Sequence, residues 1–191
     1  MEEISIKEVS KISIIGGPGT GKSTLSTNLS RVLNIPNYHI DSFNYEDDWV
    51  KRDEKERDMM ILDILNNEKW IIDGTYRSTL EERLKKSELV IFLDYNTFAK
   101  LKGIVLRYIR GKGKEKFDIP GCKEKLDFEF IKFTLKWNKN KRKDIFKYLN
   151  NVDKNKVLIF RRRKDLNKWY RNQFNTNIEI GGLKELSLIH I

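Results

Sequence analysis

Short apolar runs alternate with amphipathic stretches from residue 11 to residue 174, and that rhythm sets the first expectations. Residues 11–15 (KISII) are apolar, end at glycines and predict a buried strand. The stretch 21–33 carries Leu25, Leu29, Val32 and Leu33 at helical spacing, and Pro36 closes it. Residues 38–40 predict a second strand ending at Asp41. Residues 53–67 are amphipathic, with Met60, Ile61, Ile64 and Leu65 on one side. A third strand is expected at residues 70–72 (WII), stopped by Asp73-Gly74. Leu80–Lys86 then predicts a short helix, and Leu89–Leu93 a fourth strand followed by Asp94.

The second half keeps the rhythm with one interruption. Residues 98–110 are helical in pattern, with Leu101, Val105, Leu106 and Ile109 as the expected core face. Residues 111–127 (GKGKEKFDIPGCKEKLD) are rich in Gly and Lys and read as a loop or small lid. One long helix is expected over 128–149, a fifth strand at Val157–Phe160, and a closing helix over 164–174. Strands alternating with helices predict an α/β domain with a mainly parallel sheet. A chain of 191 residues can bury its own core, so residues 1–174 are read as one domain. Residues 175–191 break the pattern; their apolar end, LSLIHI, suits an added edge strand or a tail foreign to the domain.

Composition narrows the setting. Cys122 is the lone cysteine, which excludes an internal disulfide and suggests a reducing compartment. The opening MEEISIKEVSK is acidic and lacks the apolar segment of a signal peptide. No apolar run approaches the ~18 residues of a membrane span, so the expectation is cytoplasmic with no membrane partner. The net charge of +10 is uneven, with residues 100–172 holding 24 Lys and Arg against 8 Asp and Glu. Such a surplus attracts polyanions, and nucleotides, phosphorylated small molecules and nucleic acids all qualify.

The sharpest signal lies between the first strand and the first helix. The series Gly16, Gly17, Pro18, Gly19, Thr20, Gly21, Lys22, Ser23, Thr24 satisfies G-x-x-x-x-G-K-[ST]. Its glycines let successive backbone N–H groups turn into one concavity, and the helix that follows adds the positive end of its dipole. Lys22 is expected on the β- and γ-phosphates, the Ser23 hydroxyl on Mg²⁺ and Thr24 near the α-phosphate. No NKxD-type guanine motif is present, so ATP is expected rather than GTP.

Ligands of open parallel sheets sit at the carboxyl ends of strands, where Asp41, Asp73 and Asp94 fall. One of them should serve the metal; Asp94 follows the best apolar run, while Asp73 precedes a glycine that permits close approach. His39 is inside a short strand, where packing is the expected role. Arg107 and Arg110 share one helix face leading into the lid, a position from which they can neutralise a transferring phosphoryl group. Arg142 is a candidate for the same site. Trp137, Tyr148, Trp169 and Tyr170 lie among lysines but at helical spacing, which suits core packing, and no nucleic-acid motif is visible.

In order, GGPGTGKST, IPNYHIDS, Trp49, WIIDGTY, Thr79–Arg83 as TL-x-x-R, VIFLD, Gly121-Cys122 and D-x-E-F-I-x-F at 127–133 form a series, closed by Trp137 and Arg142. Over residues 11–170 it resembles the adenylate-kinase-like P-loop proteins of the DNA topology modulation protein family. The resemblance implies a nucleoside-monophosphate-kinase-like fold of the P-loop NTPase class. Its sheet would have five parallel strands in the order 2-3-1-4-5, with helices on both faces and a lid at about 111–127. It favours Asp73 over Asp94 for the metal, turns Asp41 toward the acceptor, matches Arg107 and Arg110 to lid arginines, and places Arg77 near an acceptor phosphate. Thr75-Tyr76 stand where adenylate kinases usually carry Phe-Pro, which departs from an AMP site. The expected function is ATP-dependent phosphorylation of a small nucleotide- or nucleoside-like molecule, the alternative a nucleic-acid-associated regulator that binds ATP.

Overall fold

The computed structural model describes residues 6–124 and 127–176. In chain order the elements are β1 (Lys11–Gly16), α1 (Lys22–Leu33), β2 (Asn37–His39), α2 (Ile40–Asn44), α3 (Glu54–Ile64), β3 (Trp70–Asp73), α4 (Leu80–Lys86) and β4 (Leu89–Leu93). They continue as α5 (Thr97–Gly111), β5 (Glu115–Lys116), β6 (Ile119–Lys123), α6 (Phe128–Asn140), α7 (Arg142–Leu149), β7 (Val157–Phe160) and α8 (Arg163–Phe174). Five strands form one wholly parallel sheet in the order β2-β3-β1-β4-β7, as expected.

The strand pattern explains how the sheet is clothed. Successive strand side chains point to opposite faces, and β4 has apolar residues at every position because both faces are covered. Leu89, Ile91 and Leu93 pack with Leu25 and Leu29 of α1 and Leu166 and Tyr170 of α8. Val90 and Phe92 pack on the other face with Leu80, Leu84, Trp137, Ile145 and Leu149. A third cluster joins Ile61 and Ile64 of α3 to Trp70 and Ile72 of β3. Each fully buried side chain of this size contributes roughly 1.5–3 kcal/mol. Trp137 and Tyr170 are therefore core residues and not a stacking platform. No helix among the described residues is long and apolar enough to cross a membrane.

Four expectations change. The long helix over 128–149 is two helices, α6 ending at Asn140 and α7 starting at Arg142, with Lys141 (φ −107°, ψ −32°) between them at the wide-φ edge of the right-handed helical region. This lets Ile145 and Leu149 bury under β4 while α6 packs along α5. Ile40 and Asp41 belong to the short helix α2 and not to β2. The lid segment contains the antiparallel hairpin β5–β6. On α5 the buried positions are Lys100 and Ile104, whereas Val105 and Ile109 are exposed, so the apolar stripe is offset from the expected face. Residues 177–191 of the tail lie outside the described residues.

Candidate active site

Strand register assembles the site. Ile14 pairs with Asp73, His39 with Asp73, and Gly16 with Leu93, so the ends of β1, β2 and β3 open together at one edge of the sheet. Gly16 N–H and carbonyl are both bonded to Thr75 Oγ1 (3.0 and 2.9 Å), which ties the start of the phosphate loop to the end of β3. Gly21, the residue before α1, has φ 91°, a left-handed value that side chains resist. No side chain caps α1 there, which leaves its first amide N–H groups free to point into the loop. Lys22 curls back, its Nζ donating to the Gly17 carbonyl (3.1 Å). Burial pushes the Lys22 ammonium down from its ordinary range, opposed by Asp41, Asp73 and Asp118. A triphosphate would relieve that desolvation.

Next to the loop, Ser23 Oγ lies 3.1 Å from Asp73 Oδ1 and 3.0 Å from Asp118 Oδ2, so its one proton serves two carboxylates. Ser26 Oγ donates to Asp73 Oδ2 (2.7 Å), and His39 Nδ1 donates to the same oxygen. Burial pulls the His39 imidazolium down, but the Asp73 hydrogen bond and charge outweigh it and the net shift is upward. These donors fit Mg²⁺, which prefers oxygen, uses one or two carboxylates and keeps several waters. Among the described residues no group of three or more His, Cys, Asp or Glu side chains is placed to hold a metal by itself.

The hairpin closes the site from above. Lys116 Nζ is 3.1 Å from Asp118 Oδ1 and 5.7 Å from the Trp49 ring centre, with its side chain 4 % exposed. Phe117 meets His39 edge-on at 5.9 Å, and Trp49 Nε1 donates to the Lys123 carbonyl (3.3 Å). Burial raises the Asp118 carboxyl, but Lys116 more than reverses this and the net shift is downward. Burial raises the Asp41 carboxyl, and here Lys22 and Lys116 do not compensate.

The arginines fall into two groups. Arg107 on α5 donates through Nε to Glu124 (3.1 Å), and its charge reaches Lys22 and Asp118; Arg110 follows one turn later. Arg77 is instead at the surface, paired with Asp144 on α7. Arg142 grips Asp94 with two bonds of 2.7 Å, and the Asp94 side chain is 2 % exposed. Asp73, not Asp94, therefore lies against Ser23. The sequence reading gave His39 a packing role and singled out neither Asp118 nor Lys100. His39 was readable as His-x-Asp at a strand end, and Asp118 as an acid in a basic lid. Lys100 gave no signal; it is buried with Nζ over the Trp137 ring (4.1 Å) and bonded to Asn138, and burial pushes it down to about 8.

No protein-family model matches the chain, and no curated protein sequence does. Solved structures do. Shikimate kinase from Bacteroides thetaiotaomicron is similar at TM-score 0.50 and 18% identity, over 80% of this chain and 86% of that one. A gluconokinase from Sinorhizobium meliloti 1021 is similar at TM-score 0.50 and 10% identity, over 87% and 90%. At these identities the likeness establishes the fold. This chain has the α/β fold of P-loop kinases.

Proposed function

We propose that the chain is an ATP-dependent phosphotransferase acting on a small molecule. One observation carries the reading: Ser23, at the start of α1 behind the phosphate loop, touches both Asp73 at the end of β3 and Asp118 on the hairpin. The folds of P-loop kinases supply the context. Gly16 to Thr24 would hold the triphosphate of ATP, with Lys22 on the β,γ oxygens. Ser23 and Asp73 would hold Mg²⁺, with Asp118 close enough to accept from its waters. Bound there, the metal would neutralise charge on the transferring phosphoryl group. Arg107 and Arg110 add positive charge from α5. Asp41 would orient the acceptor hydroxyl and take its proton as the acceptor oxygen bonds to the γ-phosphorus and the bridge to ADP breaks. Arg77 and Arg142, expected at the acceptor, are assigned to bracing through Asp144 and Asp94.

The adenylate-kinase-like subtype and the resemblance to the DNA topology modulation family remain finer proposals, and no contact in the site calls for a nucleic acid. The test is transfer of labelled γ-phosphate from Mg·ATP to a broad set of hydroxyl compounds. Transfer to at least one, lost in Lys22→Ala, is expected. Tight ATP binding with release of inorganic phosphate alone would sink the reading in favour of a hydrolase.

A further inference from the structure

Lys100, in the first turn of α5, is fully buried, and its side chain lies against the phosphate loop. A Cβ on Gly17 would stand 2.6 Å from Lys100 Cδ, 3.1 Å from its Nζ and 3.2 Å from Trp137 Cδ2. The glycine is what leaves room for the lysine at that point of the loop. Nζ sits over the Trp137 ring at 4.1 Å and donates to Asn138 Oδ1, both on α6. The Asn138 amide nitrogen donates in turn to Thr97 Oγ1 (3.2 Å), which keeps the amide oxygen facing the ammonium.

These contacts orient a cation without neutralising it. A ring face and an amide oxygen carry no net charge, and among the described residues no carboxylate stands within ion-pair distance of Nζ. The charges that reach Lys100 are those of Asp94 at the end of β4, Lys22 on α1 and Arg142 on α7. Asp94, the one anion of the three, is already gripped by Arg142 through two bonds of 2.7 Å. Burial first, with Lys22 and Arg142 adding to it, pushes Lys100 down to about 8, so the side chain is still mostly charged at pH 7. A buried cation without a counter-ion costs free energy unless a ligand supplies the missing charge. Gly17 is where an anion would meet it. Lys22 Nζ donates to the Gly17 carbonyl (3.1 Å), so two lysines attend one residue of the cradle.

We propose that Lys100 is a second lysine of the phosphate loop, a fixed ammonium packed behind Gly17 whose charge holds the triphosphate across the loop backbone. It is a positioning residue, because it acts on the phosphates through the loop. Charge in a buried site is weakly screened, so an ammonium one backbone away still attracts the phosphates. This role rests on the phosphotransferase reading only as far as the triphosphate in the loop, and it needs no acceptor. It accounts for a lysine at a position where an apolar side chain would fold more stably.

Stability and affinity should therefore move in opposite directions. Thermal melts and calorimetric titration with Mg·ATP at pH 7 would compare the parent with Lys100→Met and Lys100→Gln. Lys100→Met should melt at a higher temperature and bind Mg·ATP at least tenfold more weakly. Lys100→Gln keeps a donor for Asn138 and should lose as much affinity, which separates charge from packing and serves even if the methionine variant does not fold. At pH 8 the parent should take up about half a proton more on binding Mg·ATP than either variant, because the arriving anion raises a lysine that is half charged there. Heats in two buffers of different ionisation enthalpy measure that uptake. Affinity kept in either folded variant overturns the proposal: kept in both, Lys100 is only core; kept in Lys100→Gln alone, packing and not charge supports the loop. Equal proton uptake in parent and variants overturns it as well. A parent that binds no Mg·ATP would remove the nucleotide reading and this role with it, whereas failed transfer with these binding results intact would refute the kinase reading alone.

Discussion

Gly103, in the middle of α5, offers a test in which two effects of known size pull in opposite directions. Replacing an interior helical glycine by alanine ordinarily stabilises a protein by roughly 0.5–1 kcal/mol, because the unfolded chain loses freedom and the helix gains a better former. Here a Cβ would stand 1.9 Å from the Gly19 carbonyl oxygen and 2.9 Å from its carbon. The obstacle is backbone on both sides, so no rotamer change relieves it, and α5 must retreat from the phosphate loop by on the order of 1 Å. Overpacking of this kind costs typically ~1–3 kcal/mol. The expected net result is a protein destabilised by about 1 kcal/mol. The affinity effect should be larger, because Gly19 belongs to the cradle and displacements near 1 Å cost up to ~100-fold in well-oriented sites. Denaturant midpoints at constant m-value would give the stability change, and calorimetry with Mg·ATP the affinity. A variant that is more stable than the parent and binds ATP equally well would show that α5 does not seat on the loop as described.

Three further outcomes follow from the same contacts. On the proposed role of Asp41 toward the acceptor, Asp41→Asn should lower kcat by roughly 100-fold or more while leaving ATP affinity within about threefold; an equal loss in both would place it on the nucleotide. Lys100 has a folded pKa of about 8, below the unfolded 10.5, so the unfolded chain binds the extra proton between those values and stability should rise with pH across that window. Lys100→Met should abolish the rise and add on the order of 2 kcal/mol at pH 7, as thermal melts at several pH values would reveal. Arg142→Ala leaves Asp94 buried and unpaired, which should cost about 2–3 kcal/mol, the low end for such pairs because Arg142 is partly exposed. Asp94→Asn in the same background should recover part of the loss, and additive effects in the double variant would refute the pairing.

What could be read in the sequence was what local chemistry decides. The strand of β4, the turn at Gly21 and the periodicity of α1 are set by neighbours a few residues away, and each appears where the pattern placed it. The register that sets Ile14 and His39 against Asp73 follows from the parallel sheet, so the meeting of β1, β2 and β3 at one end was within reach once the fold class was known. Long-range charge pairing was not. Arg77 and Arg142 each had several carboxylates to choose from, and only the packing of α7 decided for Asp144 and Asp94. The Asp118 contact with Ser23 spans 95 positions and depends on a hairpin whose Gly- and Lys-rich sequence reads as loop. The break at Lys141 has neither proline nor glycine to announce it.

These non-local contacts also join the two halves of the site into one unit. Along α5, the backbone and side chain of Lys100 and the face of Gly103 meet Gly17 and Gly19, one turn later Arg107 reaches Glu124, and the hairpin that follows sets Asp118 on Ser23. A single helix thus touches the loop at its base and carries the lid at its end. Filling the loop with phosphate must change the surroundings of Lys22 and Ser23 together, because Asp118 acts on both. Ser23 Oγ has one proton besides its lone pairs, so a metal on its oxygen would leave that proton to Asp73 or to Asp118, and the other carboxylate would be left to accept from a metal-bound water. A turn of Asp118 would also move Lys116, its ion-pair partner against Trp49, and so would link the hairpin to the state of Ser23.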